Sequence, residues 1–377
     1  MRINYNLRNR LKKILQYIIR LMSYYLLPKI THNINVNPTC SNEICRVYIS
    51  YSLVNYYSLI KQQIIDMFTN EYDLSDNSFN CACKLINPYE FVFSKVPGSK
   101  FSVSKLKTKS NIFYDLIEIS SNLNIFDSFK NTLPMNFLHV TNNHSDSIEC
   151  FEMFRDNFPD EHLYVEKFNL DDNTINEMQY DFLFYETTSS DYFISLIHSI
   201  IIILKNQKIN GISIIKVSDI YHKPVIDILY LLSSLYEKVY ICKPNTNNIV
   251  TFDRYIVCKN FLCGEESNNY LKFNYLKLVI FLKKIENNNV VSILDFHIPC
   301  FYKNKIDDLN IIIGQQQLEA LDQIISIYKN KNKNDKIESI KKNNIQKSVS
   351  WCEKYKIPCN KFAEKINIFL PIINETT

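Results

Sequence analysis

Glycine is nearly missing from this chain: 377 residues carry four, Gly98, Gly211, Gly264 and Gly314. No two of them share a loop. That excludes the glycine-rich turns that cradle phosphate groups, both the G-x-x-x-x-G-K-[ST] and the G-x-G-x-x-G forms. Tryptophan occurs once, as Trp351. The eleven cysteines never form a C-x-x-C pair, and Cys81-Ala82-Cys83 is too tight for the usual zinc pair and has no second pair to complete a site. With no secretory signal, free thiols in a reducing compartment are expected, either the cytoplasm or a virion. No apolar run reaches membrane length. Phe193 to Leu204 is the richest and includes His198, so it reads as a buried helix.

Acidic residues are absent from Met1 to Lys29, where Arg2, Arg8, Arg10, Lys12, Lys13, Arg20 and Lys29 supply seven positive charges. The whole chain sums to +4, so residues 30–377 carry −3. Ile14, Leu15, Ile18, Ile19, Leu21, Met22, Leu26 and Leu27 recur near helical spacing, which predicts a basic amphipathic helix over 1–29. Such a helix docks on its own protein, on RNA phosphates or on an anionic surface.

What the chain does contain is concentrated between Asn210 and Phe261. Ile212 to Val217 is a largely β-branched run that reads as a buried strand carrying Lys216 near its end. Pro224 suits the first turn of a helix, and helical spacing follows from Val225 to Tyr236. Val239–Ile241 and Tyr255–Cys258 read as two further strands.

This order of Lys216, then Lys243-Pro244, then Asp253-Arg254-Tyr255 nine residues past the proline, resembles the FtsJ-like (RrmJ-type) ribose 2'-O-methyltransferases, in the branch of cap methyltransferases and large DNA viruses. Two earlier frames extend the resemblance. Ser110-Asn111-Ile112-Phe113-Tyr114-Asp115-Leu116 is similar to the family's opening helix, and Phe137-Leu138-His139-Val140 to its first strand, with Ile148–Phe151 in the helix after the cofactor loop. The resemblance implies an α/β, Rossmann-like methyltransferase fold over 107–261, a mostly parallel sheet with helices on both faces. An N-terminal extension over 30–106 and a mainly helical C-terminal extension over 262–377 flank it. It also implies S-adenosylmethionine as cofactor if the chain is active, and RNA, including capped mRNA, or a viral protein as partner.

Departures from the family pattern fall on the positions that carry chemistry. The family tetrad is Lys-Asp-Lys-Glu; here its positions hold Asp115, Glu186, Lys216 and Asp253. A cation beside the ribose oxygen stabilises the developing alkoxide, and an anion at position 115 opposes it. Lys107 or Lys109 in the preceding loop is the alternative source of that cation. The cofactor loop, roughly Ala-Glu-Ala-Pro-Gly-Gly-Phe in the family, is Thr141-Asn142-Asn143-His144-Ser145-Asp146-Ser147 here. Without glycine the backbone loses its cheap access to positive φ and to close ligand approach. Asp146 is expected to bring an anion towards the cofactor's carboxylate. His139 and His144 are expected to be structural, and Phe113 and Tyr114 to fill core.

In the flanks, Phe91-Val92-Phe93 reads as a strand after Asn87-Pro88-Tyr89-Glu90, and Gln315–Ile327 as a helix. The polar run from Lys329 to Lys347 reads as a solvated loop or helix. Trp351 is expected to anchor the tail onto the sheet. Two functions remain open from sequence: a degenerate methyltransferase binding RNA or protein, and an active cap 2'-O-methyltransferase with a rebuilt loop.

Overall fold

A computed structural model describes residues 24–69, 78–129, 134–142, 144–155, 158–170, 175, 178–187, 191–264, 267–285, 289–330 and 334–360. The chain opens with two short strands, β1 (Tyr24–Leu26) and β2 (Thr39–Ser41), followed by α1 (Tyr51–Thr69) and α2 (Ser78–Ile86). Then come α3 (Ile112–Asn122), β3 (Asn136–Val140), α4 (His144–Arg155), β4 (Glu161–Val165), β5 (Tyr180–Glu186) and α5 (Tyr192–Asn206). The Lys216 strand is β6 (Gln207–Val217), and α6 (Lys223–Leu235), β7 (Tyr236–Cys242) and β8 (Arg254–Phe261) complete the expected unit. The C-terminal part adds α7 (Asn268–Lys284), β9 (Asn289–Ser292), α8 (Cys300–Lys329) and α9 (Asn334–Lys354).

Seven strands form one sheet in the order β1-β7-β8-β6-β5-β3-β4. β4, β3, β5 and β6 are parallel neighbours, whereas β8 runs antiparallel to both β6 and β7. A reversed strand inserted beside a parallel set is the Rossmann-like methyltransferase arrangement, and it places the C-terminal ends of β3, β5 and β6 along one rim.

Alternation along the strands explains the two layers of helices. Phe182, Phe184 and Ile214 point into one core with α3 and α4, while Leu183, Tyr185 and Ile215 point into the other with α5 and α6. Each fully buried side chain of this kind contributes roughly 1.5–3 kcal/mol. Phe113 and Tyr114 lie in the first of these cores. Glycine is required at Gly211, where a Cβ would meet the Gln207 amide and the Lys208 carbonyl, and at Gly314 α8 closes on the side chain of Leu53 of α1.

Several expectations are corrected by long-range pairing. Most of the basic N-terminal helix, residues 1–23, lies outside the described residues, but its predicted end, Tyr24–Leu26, is a strand on the open edge of β7. Leu27 N–H continues the pairing to Val239 O, so the chain covers that edge with backbone hydrogen bonds. The Phe91–Phe93 strand is instead a 3₁₀ turn over Glu90–Val92, because Glu90 draws the Asn87 side chain, the Ser94 hydroxyl and the Ser94 N–H onto itself. The C-terminal extension is mainly helical, as expected, and adds one short strand, β9, paired antiparallel with β2.

The extension is anchored by polar as well as apolar contacts. Buried Asp227 of α6 takes both N–H groups of Ile293 and Leu294 and the Lys223 ammonium. Helix α8 packs on α1 and α2, and α9 packs on α2 and the turn at Glu90. The polar run after Asn330 is thus helical from Asn334 onward. All eleven cysteines are free, and among the described residues no cluster of His, Cys, Asp and Glu has metal-binding geometry. Among the described residues no helix is long and apolar enough to cross a membrane.

Candidate functional site

Parallel pairing places Glu186 and Lys216 side by side at the strand-end rim. The Lys216 ammonium lies 2.7 Å from Glu186 Oε1, and the Thr141 hydroxyl, just past β3, donates to Glu186 Oε2 at 2.7 Å. Both carboxylate oxygens are therefore engaged. Thr187 adds N–H and O–H donors to the Lys216 carbonyl at 3.1 and 2.9 Å, which closes the rim between β5 and β6. Thr188 lies outside the described residues.

Asp115 enters this cluster from α3, as the register of the resemblance requires. It is buried and accepts hydrogen bonds from the Thr246 hydroxyl, Asn247 Nδ2 at 3.0 Å and the Tyr255 hydroxyl at 2.9 Å. Burial raises its pKa above the usual carboxylate value, against these three donors and the Lys216 charge, which pull it back. Lys107 and Lys109 are exposed on the approach to α3. Lys216 shows the reverse balance. Burial lowers its pKa, but Glu186, Asp253 and Asp115 raise it further, so the net shift is upward. A general base for a ribose hydroxyl must shed its proton near the working pH, and this lysine is held as an ammonium.

Lys243 is a buried lysine with a different task. Its Nζ donates to Asn247 Oδ1 and to the carbonyls of Asn248, Thr251 and Asp253 at 2.7–3.0 Å. These contacts fold the loop between β7 and β8 around it and hold Thr246 and Asn247 against Asp115. Burial lowers its pKa to about 7, with Asp253 and Asp115 opposing. Asp253 is partly exposed; its carbonyl serves Lys243, and its charge acts on Lys216.

The segment matched to the cofactor loop is shorter than the sequence frame suggests. Thr141 and Asn142 follow β3, Asn143 lies outside the described residues, and α4 begins at His144, so Ser145, Asp146 and Ser147 belong to its first turn. The expectation for Asp146 is corrected. Its carboxylate is buried and accepts from Lys109 N–H at 2.9 Å and the Ser110 hydroxyl at 2.6 Å, so it braces the start of α3 rather than facing a ligand. Ser147 Oγ is 2.9 Å from His139 Nδ1, and His139 Nε2 is 3.0 Å from His162. His139 is fully buried and structural; the His144 side chain lies outside the described residues.

The sequence from Thr141 to Ser147 holds no glycine, and the Thr141 hydroxyl ties the end of β3 to Glu186 at the end of β5.

Glu118, one turn beyond Asp115, went unrecognised in the sequence. It is fully buried and receives Trp351 Nε1 at 2.7 Å, Asn245 N–H at 3.1 Å, Asn245 Nδ2 at 2.6 Å and the Tyr24 hydroxyl at 3.3 Å. Trp351 thus anchors the tail through α3, stacked edge-on against Tyr114. The sequence signal was a second acid, three residues after Asp115 and so on the same face of an otherwise apolar helix.

No family model matches the sequence, and no curated protein matches it. Solved structures similar to it include three methyltransferases of different kinds. A ribosomal RNA methyltransferase from Plasmodium falciparum is 14% identical over 41% of this chain and 100% of its own, at a TM-score of 0.31. Phosphoethanolamine N-methyltransferase 2 of Haemonchus contortus, in complex with S-adenosyl-L-methionine, is 11% identical over 40% of this chain and 39% of its own, at 0.26. A S-adenosylmethionine-dependent methyltransferase of Clostridium acetobutylicum is 12% identical over 45% and 81%, at 0.18. At these scores the likeness says nothing of substrate or activity. The fold rests on the strand order itself.

The buried histidines have a measurable consequence. Burial lowers His139 well below the usual imidazole value and takes His198 to about 4. The folded chain keeps both neutral below pH 6.5 while the unfolded chain protonates them, so stability falls as pH drops through that window. Each contributes up to about 1.4 kcal/mol per pH unit. In urea titrations at pH 7 and pH 5, His139→Asn is expected to lose less stability on acidification than the parent; an equal loss in both would contradict this.

Proposed function

We propose that this chain is a degenerate FtsJ-like methyltransferase that retains the fold without methyl transfer and serves as an RNA- or protein-binding component of viral RNA processing or of the virion. The observation that carries this reading is the self-satisfied charge cluster. Glu186 has both oxygens engaged, Asp115 is held by three donors where the family has a lysine, and Lys216 is kept protonated by its acidic neighbours. A catalytic cluster holds polar groups in reserve for the reacting atoms, and this one is closed by the protein's own residues. The competing reading, an active cap ribose 2'-O-methyltransferase, draws support from Lys216 standing at the strand end beside Glu186.

Calorimetric titration with S-adenosylmethionine and S-adenosylhomocysteine at neutral pH and moderate salt separates the two. No binding up to millimolar ligand is the expected result. Micromolar binding, followed by methyl transfer to capped RNA that Lys216→Ala abolishes, would establish the enzyme instead.

A further inference from the structure

Helix α7 is apolar on two opposite sides. One side carries Leu271 and Leu278, buried against the core, and the helix packs on α5. The other presents Phe273, Leu276 and Ile280, which are 45%, 44% and 51% exposed. Their spacing of three and four residues aligns them in one outward stripe, where a surface helix ordinarily shows polar residues.

Charge surrounds that stripe. At 100° per residue Lys277 and Lys284 fall on one flank and Lys272 and Lys283 on the other, and α7 itself contains no acidic residue. The nearest acids in sequence, Glu265, Glu266 and Glu286, lie beyond its two ends. The Lys277 ammonium sits 4.6 Å from the Phe273 ring centroid, a cation–π contact at the edge of the stripe.

We propose that the outward face of α7 is a docking surface for an anionic lipid bilayer. The aliphatic crest made by Leu276 and Ile280 gains from burial in acyl chains and nothing from RNA phosphates. A symmetric second copy would bring lysine flank against lysine flank, which like charge opposes. An anionic bilayer satisfies both features at once, apolar residues inserting below the headgroups and ammoniums remaining among them. This surface is independent of the strand-end cluster and of the function proposed for it.

Sedimentation of the full chain with phosphatidylcholine vesicles, with and without phosphatidylserine, tests the proposal. Binding to the serine-containing vesicles is expected, with a roughly fivefold loss for each of Lys272→Gln and Lys283→Gln. The triple variant F273S/L276S/I280S is expected to lose tenfold or more, and because all three residues are exposed the fold should survive. Leu276→Trp should show a blue-shifted emission only with anionic vesicles. Three outcomes would overturn the proposal: no binding to anionic vesicles; binding indifferent to the triple variant, which assigns it to basic residues elsewhere; or a concentration-dependent dimer that the triple variant abolishes. Oligonucleotide binding lost in the lysine variants, with no vesicle binding, would assign the face to nucleic acid.

Discussion

Asp115→Lys, which restores the charge that the methyltransferase resemblance places at this position, is expected to destabilise the protein by about 3–5 kcal/mol and to leave S-adenosylmethionine unbound. The reason lies in the local partners. Thr246, Asn247 and Tyr255 all donate to Asp115, and a lysine offers them no acceptor. It would also place a buried ammonium close to Lys216, whose charge Asp115 now helps to balance. The loop between β7 and β8, held by Lys243, would lose its contact with α3. Urea denaturation monitored by circular dichroism gives the stability, and calorimetry gives the cofactor. An Asp115→Lys protein of parental stability that binds cofactor would show that position 115 is a tolerant active-site residue. Asp115→Asn keeps one acceptor and the shape, so about 1–3 kcal/mol is expected for it.

Glu118→Ala is expected to cost about 4 kcal/mol and to shift the protein's tryptophan emission to longer wavelength. Trp351 is the chain's only tryptophan, so the emission reports on one contact. In the native fold its indole N–H is buried against Glu118 Oε2 and its ring is packed on Tyr114 and Tyr355. Removing the carboxylate leaves the indole N–H and the two Asn245 donors without a buried acceptor, at roughly 1–3 kcal/mol for each donor that water does not reach. Four segments meet at this side chain: β1, α3, the loop after β7, and α9. Its loss should therefore loosen the C-terminal helix and the edge strand together. Limited proteolysis near residue 354 that is faster than in the parent would accompany the spectral shift. An unchanged emission maximum and denaturation midpoint would mean that apolar packing alone seats α9.

Burial raises the pKa of both Asp115 and Glu118. Their folded forms hold protons to higher pH than the unfolded chain does, so this contribution is present below the unfolded carboxylate pKa and is lost as pH rises through the folded one. That sign is opposite to the histidine effect. Comparison of parent and His139→Asn at matched pH keeps the two apart.

The sequence by itself determined the elements whose pattern is local. The strand of Ile212 to Val217, the helix opened by Pro224, the buried helix of Phe193 to Leu204 and the order Lys216, Lys243, Asp253 all survive in the structure, because periodicity and turn chemistry act within a few residues. The departures at Asp115 and across Thr141 to Ser147 were legible for the same reason. What those residues touch was not. Asp115 meets partners 131 to 140 positions away, and Glu118 meets Trp351 across 233. The sequence places Asp146 near a ligand, and only the packing of α4 on α3 turns its carboxylate onto Lys109 and Ser110. Tyr24–Leu26 has the spacing of a helix end and becomes a strand because an open sheet edge offers backbone partners. Hydrogen-bond partners of buried charges and the pairing of short strands are settled by which surfaces meet, and distant segments meet only when the whole chain has folded.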